Sequence, residues 1–406
     1  MGPLTLPMLD SQDIAWFRDP HSLPAAARGA ASTLARRLGF DEQRCAEVAL
    51  AVSEAATNLD RHAVDGTLLL RAVRTANDAG VEIVTIDAGP GMADVSHSLT
   101  DGVSSAGTLG IGLGAITRLA DSVDIHSVPG RGTVLAARFW TKDAAGRAAT
   151  AGEPVVAGLT RPITGEEACG DAWAARPVGV RVPEPRPARR TTGREAPNAL
   201  DWSALTGFGR SRTDAPAPSA MPRAPKNGEQ GDDPSSDDPA LLLMFCDGLG
   251  HGPLAGRAAD AAVTAFRDGR AQSPDGVIRE IHTALRGGRG GAVAVVRIEP
   301  GARTVSFCGV GNVSTFVVDP ATNTRRSLLS APGIVGHQLP TLRTVSQELP
   351  RDSGVIMHSD GLTERWQPAS LPGLLAHSPL VAAAQLLREA GVRRDDAGVA
   401  VAKGAW

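Results

Sequence analysis

Between residues 177 and 239 this chain of 406 residues loses its apolar periodicity, and that interruption limits what the rest can fold into. The segment holds 11 of the 29 prolines, and its tail, 229–238, carries five acidic side chains and no basic one. So little apolar surface cannot offset an ordering cost of roughly 1–2 kcal/mol per residue, so the segment is expected to be disordered. The cores must come from the residues on either side, and the length suits two or three domains. Hydrophobic residues at 42% suffice for them; aromatics at 3%, with no Tyr, leave the filling to aliphatic and Ala side chains.

The balance of 41 Lys+Arg against 44 Asp+Glu gives a formal net charge of -3. That charge and the scarcity of aromatics argue against a general nucleic-acid binder and against a base-stacking platform. Cys45, Cys169, Cys246 and Cys308 are far apart with no Cys-x-x-Cys pair, which excludes a zinc ribbon or thioredoxin-like site and suits a reducing cytosol. The N-terminus lacks a basic region followed by an apolar one, and no apolar run is long enough to span a bilayer. The expectation is a soluble cytoplasmic protein with no membrane contact.

Residues 1–142 alternate helical and strand patterns. Asp41 is placed to cap a helix running to about Ala63, along which Cys45, Val48, Val52, Ala55 and Leu59 form one apolar face. Glu54 and Asn58, four apart, share a neighbouring face. A carboxylate there can act as a base, and an amide oxygen can coordinate Mg²⁺, although a solvated helix face accounts for the pair equally simply. A strand over 81–89 ends in Asp87-Ala88-Gly89-Pro90-Gly91, where the glycines permit close backbone approach to a planar base; an ordinary turn is the plain alternative. Gly110, Gly112 and Gly114 then open a helix, whose N-terminal amides favour phosphate. Taken in order, these three motifs resemble the GHKL family of ATP-binding domains over residues 25–140. The resemblance implies an ATP-binding α/β sandwich (the Bergerat fold) that holds ATP with Mg²⁺. In it Asp87 recognises adenine, Asn58 holds Mg²⁺, Glu54 is the general base, the 107–114 loop wraps the phosphates and Thr133 lies near the base. The short lid and the lack of an upstream phosphoacceptor helix resemble the anti-sigma-factor and switch serine kinases rather than histidine kinases.

From 240 onward strands and helices return. Asp171, Asp247, Asp360 and the pair Asp395-Asp396 each adjoin an expected strand, three of them at Asp-Gly or Gly-Asp steps that could equally mark hairpin turns. Asp247-Gly248-Leu249-Gly250-His251-Gly252, with Gly311-Asn312-Val313 and Ser359-Asp360-Gly361, resembles the SpoIIE-type branch of the protein phosphatase 2C (PPM) superfamily. That implies a β-sandwich flanked by helices and two Mn²⁺ or Mg²⁺ ions. Asp171 and Asp247 would bridge them with help from the Gly248 carbonyl, and Asp360 and Asp396 would hold the second, with Asp395 able to replace Asp396. Cations are what such a site requires, because gathered carboxylates repel one another. His251 either touches substrate phosphate or is a turn residue; Cys169 and Cys246 read as small strand residues.

The expected class is α+β. Residues 1–142 form the GHKL domain, 143–176 and 240–406 the phosphatase, and 177–239 an insertion in a hairpin loop between the phosphatase's first two strands. The resemblance implies a serine/threonine phosphatase, with a kinase or ATP-gated binding domain attached, acting on a STAS-domain anti-sigma factor antagonist. A sigma factor and a second copy of the chain are further expected partners. The alternatives are an ATP-gated binding module or a pure phosphatase with a sensory ATP domain.

Overall fold

A computed structural model describes residues 7–18, 22–98, 112–178, 240–392, 394–404 and 406. The segment expected to be disordered therefore lies, apart from Pro177 and Val178, outside the described residues, and so does Gly110. Among the described residues no helix is long and apolar enough to cross a membrane.

The first half runs β1 (Asp10–Phe17), α1 (Leu23–Arg37), α2 (Glu42–His62), β2 (Thr67–Arg74), β3 (Ala79–Ile86), α3 (Val95–Ser98), α4 (Gly112–Leu119), β4 (Ser122–Val128), β5 (Gly132–Trp140) and α5 (Lys142–Ala151). Asp41 caps α2 as its position predicts, accepting from the Arg44 amide at 2.7 Å. The strands form one antiparallel sheet in the order β1-β2-β3-β5-β4. β1 and α5 are not anticipated by the sequence reading. No residue of β1 is fully buried, and α5 buries Ala144 alone, so neither carries a strong apolar pattern.

The second half runs β6 (Val156–Arg161), β7 (Asp171–Val178), β8 (Ala240–Gly248), α6 (Pro253–Asp268), α7 (Pro274–Leu285), β9 (Gly291–Glu299), β10 (Thr304–Val310), β11 (Ser314–Asp319), β12 (Thr324–Leu328), β13 (Val345–Glu348), β14 (Gly354–His358), α8 (Pro379–Ala390) and β15 (Ala397–Lys403). Its two sheets have the orders β13-β10-β9-β8-β7 and β12-β11-β14-β15-β6. Leu241, Leu243 and Phe245 pack between them against Val355, Met357 and Ala400. The alternate residues Leu242, Met244 and Cys246 pack outward against Phe266, Ile278 and Ile281 of α6 and α7. A strand covered on both faces explains the unbroken apolar run of β8. The 179–239 segment joins β7 to β8, which pair directly. It thus follows the second strand of this half, not the first as expected, because β6 precedes β7 and belongs to the other sheet.

Helix α8 ties the two halves together. One of its sides packs on Leu159, Ile356, Val399 and Val401 of the β6-containing sheet; another packs on Leu69, Val84, Ile86, Val134 and Ala136 of the first sheet. Leu68 and Leu70, on the opposite face of β2, are fully buried as well. The row beside Leu69 is polar. Arg71, 1% exposed, pairs with Glu82 across β2–β3 and with Asp13 across β1–β2, and Glu82 also pairs with Arg138. Arg71 Nη2 donates to the Gly158 carbonyl at 2.8 Å, and Asp13 accepts from the Thr160 amide at 2.9 Å. These bonds seat the first sheet on β6.

Candidate active site

Antiparallel pairing brings the phosphatase-half carboxylates to one end of the sandwich. Asp171 opens β7, Asp247 lies near the end of β8, and the two are register partners. Asp360 follows β14, while Asp395 and Asp396 precede β15, which pairs with β14. All five line one cavity of about 120 Å³ with Asn312, Leu249 and Gly250. Gly248 does not line it; its amide donates to the Gly170 carbonyl at 2.9 Å.

Their surroundings differ. Asp171 is 4% exposed and accepts from Ser359 Oγ at 2.5 Å. Burial, then the facing charge of Asp247, push its carboxyl well above the usual range despite that bond. Burial and the charges of Asp360, Asp395 and Asp396 push Asp247 up to about 7. Asp360 is also raised, by burial and then by Asp395, although Asn312 Nδ2 donates to it at 2.8 Å. Asp396 is anchored by the chain itself: Oδ1 accepts from the Ile163 amide at 2.7 Å and Oδ2 from the Gly170 amide at 2.6 Å. Asp395 accepts from the Asp396 amide at 2.9 Å.

Among the described residues no three His, Cys, Asp or Glu side chains are gathered closely enough to hold an ion as they stand. The carboxylates share a cavity, where burial and neighbouring like charges favour the protonated forms of Asp171 and Asp247. A lining of oxygen donors with no Lys or Arg, in which Asp171, Asp247 and Asp360 have raised pKa values, suits a hard divalent cation such as Mg²⁺ or Mn²⁺. His251 lies outside the lining, 58% exposed at its side chain and 3.4 Å from Glu166. Cys169 and Cys246 are free thiols whose pKa values burial raises, which disfavours the thiolate.

Sequence reasoning gave no role to Ser359, His358 or Trp366. Trp366 Nε1 donates to His358 Nε2 at 3.2 Å, so the proton on His358 sits on Nδ1, which donates to the Ser359 carbonyl at 2.8 Å. The Gly398 amide donates to Ser359 Oγ at 3.1 Å, fixing the hydroxyl that meets Asp171. The run Ser359-Asp360-Gly361 is the one sequence signal for this support.

In the first half, Glu54 and Asn58 face the start of α4. A Cβ on Gly112 would lie 3.2 Å from Asn58 Oδ1 and 3.5 Å from Glu54 Oε2, so both side chains come up against the backbone there. Gly114 is buried inside α4. Asp87 directly follows β3; its Oδ1 accepts from the Gly89 amide at 2.7 Å, and its own amide donates to the Thr133 carbonyl at 3.0 Å. Burial raises its carboxyl, opposed by the backbone amides of Gly89 and Thr133 and by the charge of Arg388. Thr133 Oγ1 meets Ser127 Oγ at 2.9 Å. Gly91, at φ +65°, brings its backbone against the Val128 carbonyl, where a Cβ would collide. An acidic strand end, a polar helix face and a clear helix N-terminus on one side of a sheet fit a nucleotide with its cation.

Fold and site together define a PPM-type serine/threonine phosphatase domain joined to a GHKL-type ATP-binding domain. Residues 18–139 match the histidine kinase-like ATPase domain family, and residues 237–396 match the stage II sporulation protein E (SpoIIE) family. The chain is 35% identical to the serine/threonine-protein kinase RsbT of Bacillus subtilis over 117 residues, which are 29% of this chain and 88% of RsbT. It is 25% identical to the phosphoserine phosphatase RsbX of the same organism over 127 residues, 31% of this chain and 63% of RsbX. Through its N-terminal domain the chain belongs to the RsbT family, and its C-terminal domain is a SpoIIE-type phosphatase. Similar solved structures include RsbX in complex with magnesium, at TM-score 0.40 and 16% identity, covering 61% of this chain and 94% of that one. Another is the phosphatase domain of SpoIIE from Bacillus subtilis with a fragment of its regulatory domain, at TM-score 0.39 and 12% identity, covering 82% and 80%.

Proposed function

We propose that this chain sets the phosphorylation state of a STAS-domain anti-sigma factor antagonist in the cytoplasm. Residues 143–176 and 240–406 would remove phosphate from a serine or threonine of that protein, and residues 1–142 would bind ATP and transfer its phosphate to the same class of partner. The observation that carries the reading is the cavity that Asp395 shares with Asp171, Asp247 and Asp360, the last three with raised pKa values. Bound divalent cations would supply the charge compensation and the activated water that phosphoryl hydrolysis requires. Asp171, Asp247 and Asp360 would hold them. Asp395 is the better fourth ligand, since both oxygens of Asp396 are committed to backbone amides. Ser359 holds Asp171 in place, and Asn312 does so for Asp360. In the N-terminal domain Asn58 would hold Mg²⁺, Glu54 would take the proton of the accepting hydroxyl, and Asp87 would meet the base.

The test incubates the full chain with a STAS-domain partner, ATP and Mn²⁺, and follows phosphate on the partner by mass. Asp247→Ala should raise the phosphorylated fraction and Glu54→Ala should lower it. A phosphorylated fraction unmoved by Asp247→Ala would overturn the phosphatase assignment for that partner. The shared helix α8 favours a second reading, in which nucleotide in the first domain tunes hydrolysis in the second. Hydrolysis of a phosphorylated partner that changes between ADP and ATP, with no transfer from ATP, would select it.

A further inference from the structure

The turn from α7 into β9 reads Arg286-Gly287-Gly288-Arg289-Gly290 and meets the loop that follows β8. Its backbone is pinned on both sides of Arg289. The Leu249 amide donates to the Gly290 carbonyl at 3.2 Å, and His337 Nε2 donates to the Arg289 carbonyl at 2.9 Å. Gly290 sits at φ +72°, and a Cβ there would stand 2.5 Å from the Val335 carbonyl oxygen, so the turn is tight as well as tied.

That pinning sets where the Arg289 side chain lies. Its Nη1 donates to the Leu249 carbonyl at 3.3 Å, and a Cβ on Gly250 would stand 2.9 Å from the same nitrogen. Leu249 and Gly250 line the carboxylate cavity, and Arg289 does not. The guanidinium therefore stands at the edge of the cavity, outside the aspartates. It is exposed there. Arg297 and Arg303 pair with Glu299 and Glu348, but Arg289 meets no carboxylate among the described residues. Glu166 lies 3.4 Å from His251 in the same loop, so the positive charge is local to the Leu249–Gly250 step. The loop also carries apolar surface: Leu249 is 39% exposed and Leu254, in the first turn of α6, 50%. A single exposed leucine is ordinary, but two on one short segment beside a cavity make a surface that a partner covers.

We propose that Arg289 is a specificity-determining residue, which pairs with an acidic side chain of the phosphoprotein substrate a few positions from the phosphorylated residue. An extended chain advances about 3.3 Å per residue, so a segment with its phosphate among the aspartates carries its flanking side chains out over the rim. The occupant is a protein segment with acidic and apolar flanks. A free phosphate monoester would not reach Arg289 and would gain nothing from it. The proposal rests on the reading of the carboxylate cavity as the phosphatase site.

The test measures kcat/KM of the full chain with Mn²⁺ on two phosphoserine peptides. Both keep a leucine beside the phosphoserine; one carries a glutamate about three positions away on each side, and the other has glutamine there. The wild type should prefer the glutamate peptide by about threefold or more, the scale of a partly exposed ion pair, and the preference should shrink at high salt. Arg289→Gln should bring the ratio to about one. Arg289→Glu should turn it in favour of the glutamine peptide. Each ratio is taken within one protein, so a change in folded or metal-loaded fraction cancels, and a merely structural role for Arg289 would leave the ratio where it was. No preference in the wild type, or the same preference in Arg289→Gln, would overturn the proposal while leaving the phosphatase reading intact. Absence of Mn²⁺-dependent phosphate release from both peptides and from p-nitrophenyl phosphate would instead overturn that reading, and the proposal with it.

Discussion

At the scale of single residues, the adjacent aspartates 395 and 396 show how position separates identical chemistry. Both carboxylate oxygens of Asp396 terminate backbone amides of the loop that leads into β7, whereas Asp395 faces Asp247 and Asp360. Asp396→Asn should therefore act on the fold. Bonds to an ionised acceptor are worth about 1.5–3 kcal/mol each, and an amide oxygen can replace one of the two, so a fall of several degrees in melting temperature is expected. Asp395→Asn should leave the melting temperature nearly unchanged in EDTA and raise the Mn²⁺ concentration needed for half-maximal hydrolysis by about tenfold or more. Equal behaviour of the two variants in both measurements would refute the distinction. Ser359→Ala removes the hydroxyl that orients Asp171, and should lower phosphatase turnover by about 10- to 100-fold, as loss of a ligand-orienting bond does; restoration by Ser359→Thr would mark the hydroxyl as the cause. The Asp-Gly steps that pointed to this site could be read from the sequence because strand-end turn chemistry is local. The division of labour between Asp395 and Asp396 could not, since it depends on amides from Ile163 and Gly170, more than 220 positions away.

At the scale of elements, α8 is held at its N-terminus by a side chain from the other half. Asp124 on β4 accepts from the Ser378 amide and from His377 Nδ1, each at 2.7 Å, just where α8 begins. Burial alone would raise the Asp124 carboxyl, but those bonds outweigh it and hold it down at about 2. His126, two residues along β4, packs edge-on against His377 with ring centroids 4.9 Å apart. Burial, then the charges of His377 and Arg388, hold its pKa down at about 4. An unfolded histidine titrates near 6.5, so between about 4 and 6.5 the unfolded chain binds more protons and stability rises with pH. Stability should accordingly fall as pH drops from about 6.5 to 4, and His126→Gln should flatten that slope in urea unfolding. Asp124 contributes in the opposite sense to an acid-raised group. Its share is fully present above about 4 and is lost toward pH 2, so Asp124→Asn should remove the loss in that lower window alone. A His126→Gln profile parallel to the wild type would show that His126 does not titrate with the fold. The elements themselves were mostly legible: α1, α2 and β8 announce their burial in the spacing of their apolar residues. β1 was not, because its Asp13 and Trp16 find their partners at Thr160, in another sheet.

At the scale of the whole molecule, the two halves share one core rather than touching across a wet boundary. In layer order, α1 and α2 cover one face of the first sheet, and its other face meets α8. The opposite side of α8 meets the β6-containing sheet, which packs on its companion sheet, and α6 and α7 close the stack. The sequence hides this arrangement in plain view. Leu68-Leu69-Leu70 reads as a buried strand, but an antiparallel sheet ordinarily leaves one face wet, and nothing local tells which helix will cover the second face. Inter-domain surfaces within a chain are usually polar and permit relative motion; this one is an apolar seam bordered by the buried Arg71–Glu82–Arg138 row. Cooperativity should follow from that continuity. Calorimetric unfolding of the full chain should show a single transition whose calorimetric and van't Hoff enthalpies agree. Leu69→Ala removes side-chain volume that both halves pack on and should cost about 2–5 kcal/mol. In a chain this long that lowers the common transition by several degrees without splitting it. Two transitions in the wild type, or a Leu69→Ala effect confined to one of two transitions, would mean that the ATP-binding and phosphatase halves fold independently, and the seam along α8 would then be a contact surface rather than a shared core.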